Sequence, residues 1–587
     1  MTRIDSQPDH RRLAPARLAT GLVAGVALYL IDLWGKGAGK TSHELFAVLI
    51  TTWVFVPVVL LGAFGAMQRR GLTLWALAST VIVVGLSAYQ AKVSGDANLP
   101  TPPSFAFGFF LAVGLFIAHG LILGASAAGR WRAPYSLYFD IAWKDAVRLA
   151  LAAAFVGALW LVLFLGAALF NLIGVKALQD IITRPVFAFP ATSTFFALAV
   201  HVTDARAGLV RGARTLALTL LSWLLPLMTV LAVGFLAALP FTGLEPLWKT
   251  KSAAGILLGA AAALIVLINA AYQEGEQDGF PPLALKLSAR IAAFVLTPLL
   301  AIAAFGLVLR IRQHGFTPDR LEGLAAVLLG AVYAHGYGWA AVRTHPWMKH
   351  LEGTNVLAAH VALALLLAIF SPLADPARLS VNDQMHRLRT GKVSVQDFDY
   401  NFLRHASGLH GRKALDQLVD HPFGPRAAEM AERARNARKA ENPWDHVPAT
   451  AAEQARAVKV IGAEALPGSF TSQVWSNADD PLRDCKGDQP CAAIIRDFDS
   501  QEGAEILIQA PSTNNLYALQ GDQWVRVGYV PANCGNKDDE ALRAGDFKLE
   551  PPKRVWSDLV IDGRRVPVVL DTQCPPVTAS AAASTDK

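Results

Sequence analysis

Three histidines fall inside long apolar runs of the chain: His119, His335 and His360. An ionisable side chain in such a run is costly to bury and is by default a functional candidate. Imidazole titrates near neutral pH, so three rings at one level would suit a proton relay or a polar cavity. Counting residues puts each ring roughly six to nine positions from the same predicted end of its run, on the order of 9–13 Å deep. The alternative is that each neutral ring makes one interhelical hydrogen bond. No carboxylate is predicted at that depth, which argues against zinc ligation there.

Other chemistry-bearing strings lie nearer the surface. Asp497, Asp499 and Glu505 sit in a stretch similar to calcium loops, which need closely spaced oxygen ligands and a glycine turn. Gln501 and Glu502 stand where the third aspartate and its glycine belong, and a tight β-turn needs no ion. Asn269, Glu274, Glu276 and Asp278 form either a cation-attracting mouth or a solvated helix end, the second being favoured. Gly35 to Ser42 has the composition of a phosphate-binding loop, but position 34, where its first glycine belongs, is Trp34. Nucleotide binding is therefore not expected, and no cofactor is. No Ser-His-Asp signature, H-E-x-x-H or dinucleotide fingerprint is present.

The four cysteines, Cys485, Cys491, Cys534 and Cys574, all lie near the C-terminal end of the chain. An even set confined to one region suggests disulfides in an oxidising compartment. Of the three pairings, Cys485–Cys491 with Cys534–Cys574 is favoured because the first two are so close in sequence. Free thiols remain the alternative. A zinc site is disfavoured because no C-x-x-C occurs.

The elements that must position these residues follow from composition. The chain is 53% hydrophobic and 17% charged, with a mean hydropathy of +0.36, against roughly 25% charged residues in ordinary globular proteins. The apolar residues come in runs of about twenty, the length that crosses ~30 Å of hydrocarbon. Eleven spans are predicted, near 15–34, 45–67, 72–90, 105–128, 148–175, 186–202, 216–238, 253–273, 291–309, 321–342 and 354–374. Only helix satisfies the backbone there. Pro57, Pro226 and Pro298 should kink their spans. The segment 186–202, short and holding Pro190, Thr192, Ser193 and Thr194, leaves a re-entrant turn open. The predicted fold is thus an all-α polytopic membrane bundle of about eleven helices. A cytoplasmic tail (1–14) precedes the membrane domain (15–374). After it come a helical juxtamembrane segment (375–445), a small α+β soluble domain that is β-rich at its end (446–576) and a disordered tail (577–587).

Residues 375–587 carry 26 basic and 30 acidic side chains, against 53 and 46 in the whole chain, so the net charge of +7 arises in the membrane half. That balance reads as an orientation signal and not as a nucleic-acid footprint. With the N-terminus inside, 17 of the 27 basic residues before position 375 fall on the cytoplasmic side, Arg17, Lys144, Arg148, Arg206 and Arg214 among them. An odd number of crossings then puts the C-terminal domain in the periplasm. The first apolar run is too long for a signal peptide and no A-x-A site follows it, so it reads as an uncleaved helix. In the C-terminal part, Ser380 and Ser394 are predicted N-caps and Gly391 a helix break. Arg433, Arg435, Arg438 and Lys439 read as a solvated face. Strands are predicted at 505–508, 524–527 and 566–570.

Two groups of strings resemble a known family. Ala142-Trp143-Lys144-Asp145, Phe155 to Trp160 and Ala168 to Gly174 form the first. Asp375 to Val381, Gln384, Arg387-Leu388, Gly391, Phe398-Asp399-Tyr400 and Leu403-Arg404 form the second. Both are similar to the bacterial domain-of-unknown-function 4153 family, over most of residues 15–420. The resemblance implies a polytopic inner-membrane protein and no activity. Three readings are left: transport or handling of lipid or envelope components across the membrane, an envelope scaffold or sensor with a periplasmic partner, and a membrane-embedded enzyme on a lipid-linked substrate. The first is favoured. The third is weakest, for want of an outward-facing acidic pair.

Overall fold

The computed structural model describes residues 10–37, 42–94, 104–250, 252–275, 281–343, 346–439 and, with interruptions, 458–566. Two compact units result: residues 1–392 with 407–411, and residues 393–406 with 412–587.

In the first unit the helices are α1 His10–Gly35, α2 His43–Ala63, α3 Arg69–Ser94, α4 Phe105–Ala128, α5 Tyr135–Leu172, α6 Ala177–Ile182 and α7 Pro185–Ala205. They continue as α8 Ala207–Thr242, α9 Glu245–Lys249, α10 Ala253–Tyr272, α11 Leu283–His314, α12 Pro318–Val342, α13 His350–Ile369 and α14 Pro376–Arg389. Eleven of these are long and apolar enough to cross a membrane, as the predicted spans require. The chain is a multi-pass membrane protein. The helices α2, α8 and α11 run without interruption through Pro57, Pro226 and Pro298. The segment left open as re-entrant is part of the continuous helix α7.

Glycine explains how α7 seats. A Cβ on Gly21 of α1 would stand 2.6 Å from the Ala197 Cβ and 2.7 Å from the Ser193 carbonyl oxygen. One on Gly25 would stand 2.5 Å from the Pro190 Cα. The pair, four residues apart on one helix face, lets the two backbones meet where no lipid-driven force would press larger residues together.

At 38 residues α5 is longer than any other helix here, about 57 Å at 1.5 Å per residue and nearly twice the hydrocarbon thickness. It begins at Tyr135, thirteen positions before the predicted start of its span, so Lys144, Asp145 and Arg148 lie on helix and not in a loop. A second group of helices meets around a closed polar ring. Asn269 donates to the Tyr337 hydroxyl (2.7 Å), Tyr337 to Asn355 Oδ1 (2.7 Å), and Asn355 both to Tyr135 (3.2 Å) and to Asn269 Oδ1 (2.6 Å). Four polar side chains from α5, α10, α12 and α13 thus satisfy one another inside an apolar core that includes Leu264, Ile268, Leu296 and Leu299.

Asp375 caps α14, accepting from the Ala377 (2.8 Å) and Arg378 (3.2 Å) amides ahead of Pro376 at the first helical position. The predicted cap, Ser380, lies inside the helix and is buried. Asp375 also accepts from the Tyr89 hydroxyl at 2.6 Å and stands 3.3 Å from His410 Nε2. Gly391 ends the helix at φ +70°, as predicted.

The second unit holds α15 Tyr400–His405, α17 Ala427–Lys439 and α18 Gly468–Ser472; α16, Gly408–Asp420, begins in the first unit and ends in the second. The cap of α15 is Asp399, whose carboxylate accepts from Phe402 N at 2.8 Å, while Ser394 closes only the turn before it. Arg433, predicted on a solvated face, is buried and pairs with Glu429 at 3.2 Å. Arg438 reaches Asp416 at 3.3 Å. Burial raises the Tyr400 phenol above its ordinary range, so its hydroxyl stays protonated and donates to the Val395 carbonyl at 3.3 Å.

A five-stranded sheet follows, in the order β1 Val458–Ile461, β2 Cys491–Arg496, β3 Glu505–Gln509, β4 Asn514–Gln520, β5 Gln523–Tyr529. The first pair is parallel and the others antiparallel. The strand β3, buried at every position, forms the middle. Its inner side chains pack with Phe470, against whose ring Trp475, Tyr517 and Trp524 stand edge-on. Cys485 and Cys491 are disulfide-bonded, with Cα atoms 5.3 Å apart, at the edge of this core. A short hairpin, β6 Leu559–Ile561 and β7 Arg564–Val566, forms a separate sheet. Residues 567–570, predicted to continue it, lie outside the described residues, as do Cys534 and Cys574.

Candidate functional site

The charges that sequence reading assigns to loops converge inside the membrane domain. Asp204, near the end of α7, receives three cations. Arg17 Nη2 donates to its Oδ2 at 2.7 Å, Arg148 Nη2 to its Oδ1 at 2.7 Å, and Lys144 Nζ lies 3.7 Å from Oδ1. Arg17, wholly buried, also donates to the Phe64 carbonyl at the end of α2 at 2.9 Å and stands 3.5 Å from His201 Nδ1. Arg148 reaches back one turn to Asp145 Oδ1 at 3.1 Å. Three cations and two carboxylates drawn from α1, α5 and α7 are thus held together. Their level explains how the bilayer tolerates them. The apolar stretch of α5 after Arg148 alone covers about 36 Å, enough for the hydrocarbon, so the cluster sits where α5 leaves it and is sheltered by its neighbours.

His119 joins from α4. The indole Nε1–H of Trp75 on α3 donates to its Nδ1 at 3.0 Å. Indole is a donor only, so Nδ1 is the acceptor and the neutral ring carries its proton on Nε2. That Nε2 faces Asp145 Oδ2 at 4.0 Å, beyond hydrogen-bond reach. Among the described residues neither atom has a hydrogen-bond partner, although both are buried. The Nε atoms of Arg17 and Arg148 are in the same condition. A Cβ on Gly62 of α2 would lie 2.8 Å from His119 Nε2, so only glycine leaves that corner open.

An apolar cavity of about 200 Å³ ends on these groups. Val54, Val58, Val59, Ala112, Leu115, Phe116, Leu149, Phe196 and Val200 line its length, and Gly62, His119, Asp145 and Arg148 line its polar end. From Ala112 to His119 along α4 is about 10 Å, and from Val54 to Gly62 along α2 about 12 Å. Val54 and Ala112 are exposed at the far end, on the face that meets lipid. The arrangement is an apolar slot with one polar end.

The other predicted residues fall elsewhere. His335 and His360 lie on exposed faces of α12 and α13, and the His360 ring bonds the Val356 carbonyl of its own helix at 2.7 Å. Neither takes part in the cluster around His119. The expectation that no carboxylate lies level with His119 is corrected by Asp145, whose Oδ2 stands 4.0 Å from the ring, because α5 starts earlier than its apolar run. Asn269 belongs to the polar ring between helices. Glu274 pairs with Arg214, which also pairs with Asp140; Glu276 and Asp278 lie outside the described residues. In the second unit, Asp497, Asp499 and Glu505 each offer a carboxylate oxygen within 4.8 Å of the others. Glu505 accepts from Phe498 N (2.7 Å) and Asp497 from Asp499 N (3.2 Å), bonds that close the turn by themselves.

Sequence reading missed Arg17, Trp75, Asp145, Arg148 and Asp204. One signal was available: Asp145 and Arg148 are three residues apart and opposite in charge, the spacing of a pair on one helix face. No curated protein and no solved structure matches the chain. The family described as Domain of unknown function (DUF4153) matches residues 46–418, which hold every member of the cluster except Arg17. That match spans well over half of the sequence, and the chain belongs to the DUF4153 family.

Proposed function

We propose that the membrane domain binds an amphiphilic membrane or envelope component in the slot between α2, α4, α5 and α7 and handles it across the bilayer. The single observation that carries this reading is an apolar cavity that ends on buried polar atoms lacking partners. Such atoms destabilise a protein by about 1–3 kcal/mol each when nothing bonds them, so a site that keeps several together is built to receive a polar group. The 200 Å³ volume suits one chain and not a two-chain lipid. The bilayer is then both solvent and source of ligand. The setting we propose is a bacterial inner membrane, with the N-terminus cytoplasmic and the C-terminal domain periplasmic. The odd number of spans among the described residues, the excess of basic residues on one side and the Cys485–Cys491 disulfide support it.

Reconstituted full-length protein should speed the movement of a tail-labelled single-chain amphiphile between the leaflets of a vesicle. Ala112→Trp, which plugs the slot away from the charges, should abolish that movement while the protein still inserts. Equal rates for the two proteins would remove the cavity from the function.

One observation favours a second reading, in which the exported domain docks an envelope protein and the helices anchor it. Val525, Val527 and Tyr529 alternate along β5, the last strand of the sheet among the described residues, with their side chains exposed. They form an apolar stripe on a sheet edge where the Trp524 amide and carbonyl are taken by the Gln473 side chain. On that reading, removing residues 457–587 is as damaging as removing the whole chain, and Ala112→Trp is silent.

A further inference from the structure

We infer that the polar end of the slot recognises a hydroxyl group, so that the ligand is a single-chain alcohol and not an anionic amphiphile. The inference rests on the reading of the cavity as an amphiphile site and names the chemistry of its head group.

The direction of each hydrogen bond decides the matter. Trp75 holds the proton of the neutral His119 ring on Nε2, which therefore presents a donor. Asp145 Oδ1 is paired with the permanently charged Arg148 guanidinium, and its other oxygen, Oδ2, presents an acceptor. These two atoms stand 4.0 Å apart, and neither has a hydrogen-bond partner among the described residues. One atom placed about 2.8 Å from each, an ordinary hydrogen-bond length, would bridge them, and it must accept from nitrogen while donating to oxygen. A hydroxyl does both. A carboxylate or a phosphate dianion accepts from His119 but meets Asp145 Oδ2 with no proton between them. A methyl end leaves every orphan unpaired. Gly62 keeps the corner beside Nε2 clear for that oxygen, and the apolar walls running toward Ala112 and Val54 take the tail.

The test uses full-length protein in lipid nanodiscs, equilibrium dialysis with isotope-labelled probes, and subtraction of partition into empty nanodiscs. The probes are decan-1-ol, decane, decanoate and decyl phosphate. Decan-1-ol should bind about tenfold more tightly than decane, roughly what one net hydrogen bond supplies, and both anions should bind more weakly than the alcohol. Asp145→Asn, which puts a donor in place of the acceptor in one amide orientation, and Gly62→Ala, which closes the corner, should each shrink the alcohol-to-alkane ratio toward one while decane still binds. If either variant fails to fold, the ranking of the four probes on the unaltered protein still decides. Equal binding of alcohol and alkane would mean that water alone fills the gap and would overturn the hydroxyl while leaving the slot standing. Tighter binding of an anion would overturn the direction of the hydrogen bonds. Binding of none of the probes would overturn the slot itself.

Discussion

Asp204 is the hub of the ionic cluster, and its removal should be far more damaging than removal of any one cation. Asp204→Asn takes the carboxylate away from Arg17, whose side chain is 0% exposed, while Arg148, 6% exposed, keeps Asp145 Oδ1 at 3.1 Å. Arg17 then keeps the Phe64 carbonyl and its contact with His201, and neither is an anion. Breaking a buried pair by deleting one partner typically destabilises by about 3–5 kcal/mol, because the other charge stays buried without compensation. Arg17→Met acts differently. Asp204 keeps Arg148 at 2.7 Å and Lys144 at 3.7 Å, so no charge is stranded and the loss is nearer that of charge-assisted hydrogen bonds, about 1–3 kcal/mol. The expected order is therefore Asp204→Asn worst, Arg17→Met intermediate, and Asp204→Glu, which keeps the charge, mildest. A chain of two units does not unfold in one step, so the assay ranks variants by the temperature at which half of the detergent-solubilised protein ceases to run as a single species. Should Arg17→Met prove as damaging as Asp204→Asn, Asp204 is not the hub and the cluster is held by its arginines.

The remaining predictions concern topology, redox state and the histidines. Alkaline phosphatase fused after Lys587 should be active and green fluorescent protein there dark; the opposite pattern would place the C-terminal domain in the cytoplasm. Alkylation of freshly lysed cells should spare Cys485 and Cys491 until reductant is added, whereas full modification without reductant would show the pair reduced in the cell. His335→Leu and His360→Leu should leave function and thermal stability nearly unchanged, since both rings face outward and an interhelical hydrogen bond in a membrane averages only about 0.6 kcal/mol. His119→Leu should lose function, because it removes the acceptor of Trp75 together with the Nε2 donor; a silent His119→Leu would take the ring out of the site.

The number and placement of the spanning helices were legible in the amino-acid order because the bilayer imposes one length scale on every segment. A run of about twenty apolar residues has no other stable state at that thickness, and so even α7, with its prolines and hydroxyls, was found. The strands β3 and β5 and the Cys485–Cys491 pair were legible for a similar reason, each resting on neighbours in sequence. The site was not. Arg17, Lys144, Arg148 and Asp204 stand near the ends of apolar runs, where a charge most often meets water or marks orientation, and hydropathy cannot tell such a residue from one turned inward. Depth along a helix is estimated by counting, but azimuth is not: counting predicts one level for His119, His335 and His360, and packing turns the first toward Asp145 and leaves the other two exposed. That turn was decided by contacts between helices far apart in the chain. Gly21 and Gly25 draw α7 against α1 and bring Asp204 to Arg17. The early start of α5 carries Asp145 under His119, and Trp75 settles which nitrogen holds the proton. Sequence determined which segments enter the membrane, because that is a property of each segment alone. Tertiary structure decided which polar groups meet there, because a hydrogen bond's direction and reach belong to pairs.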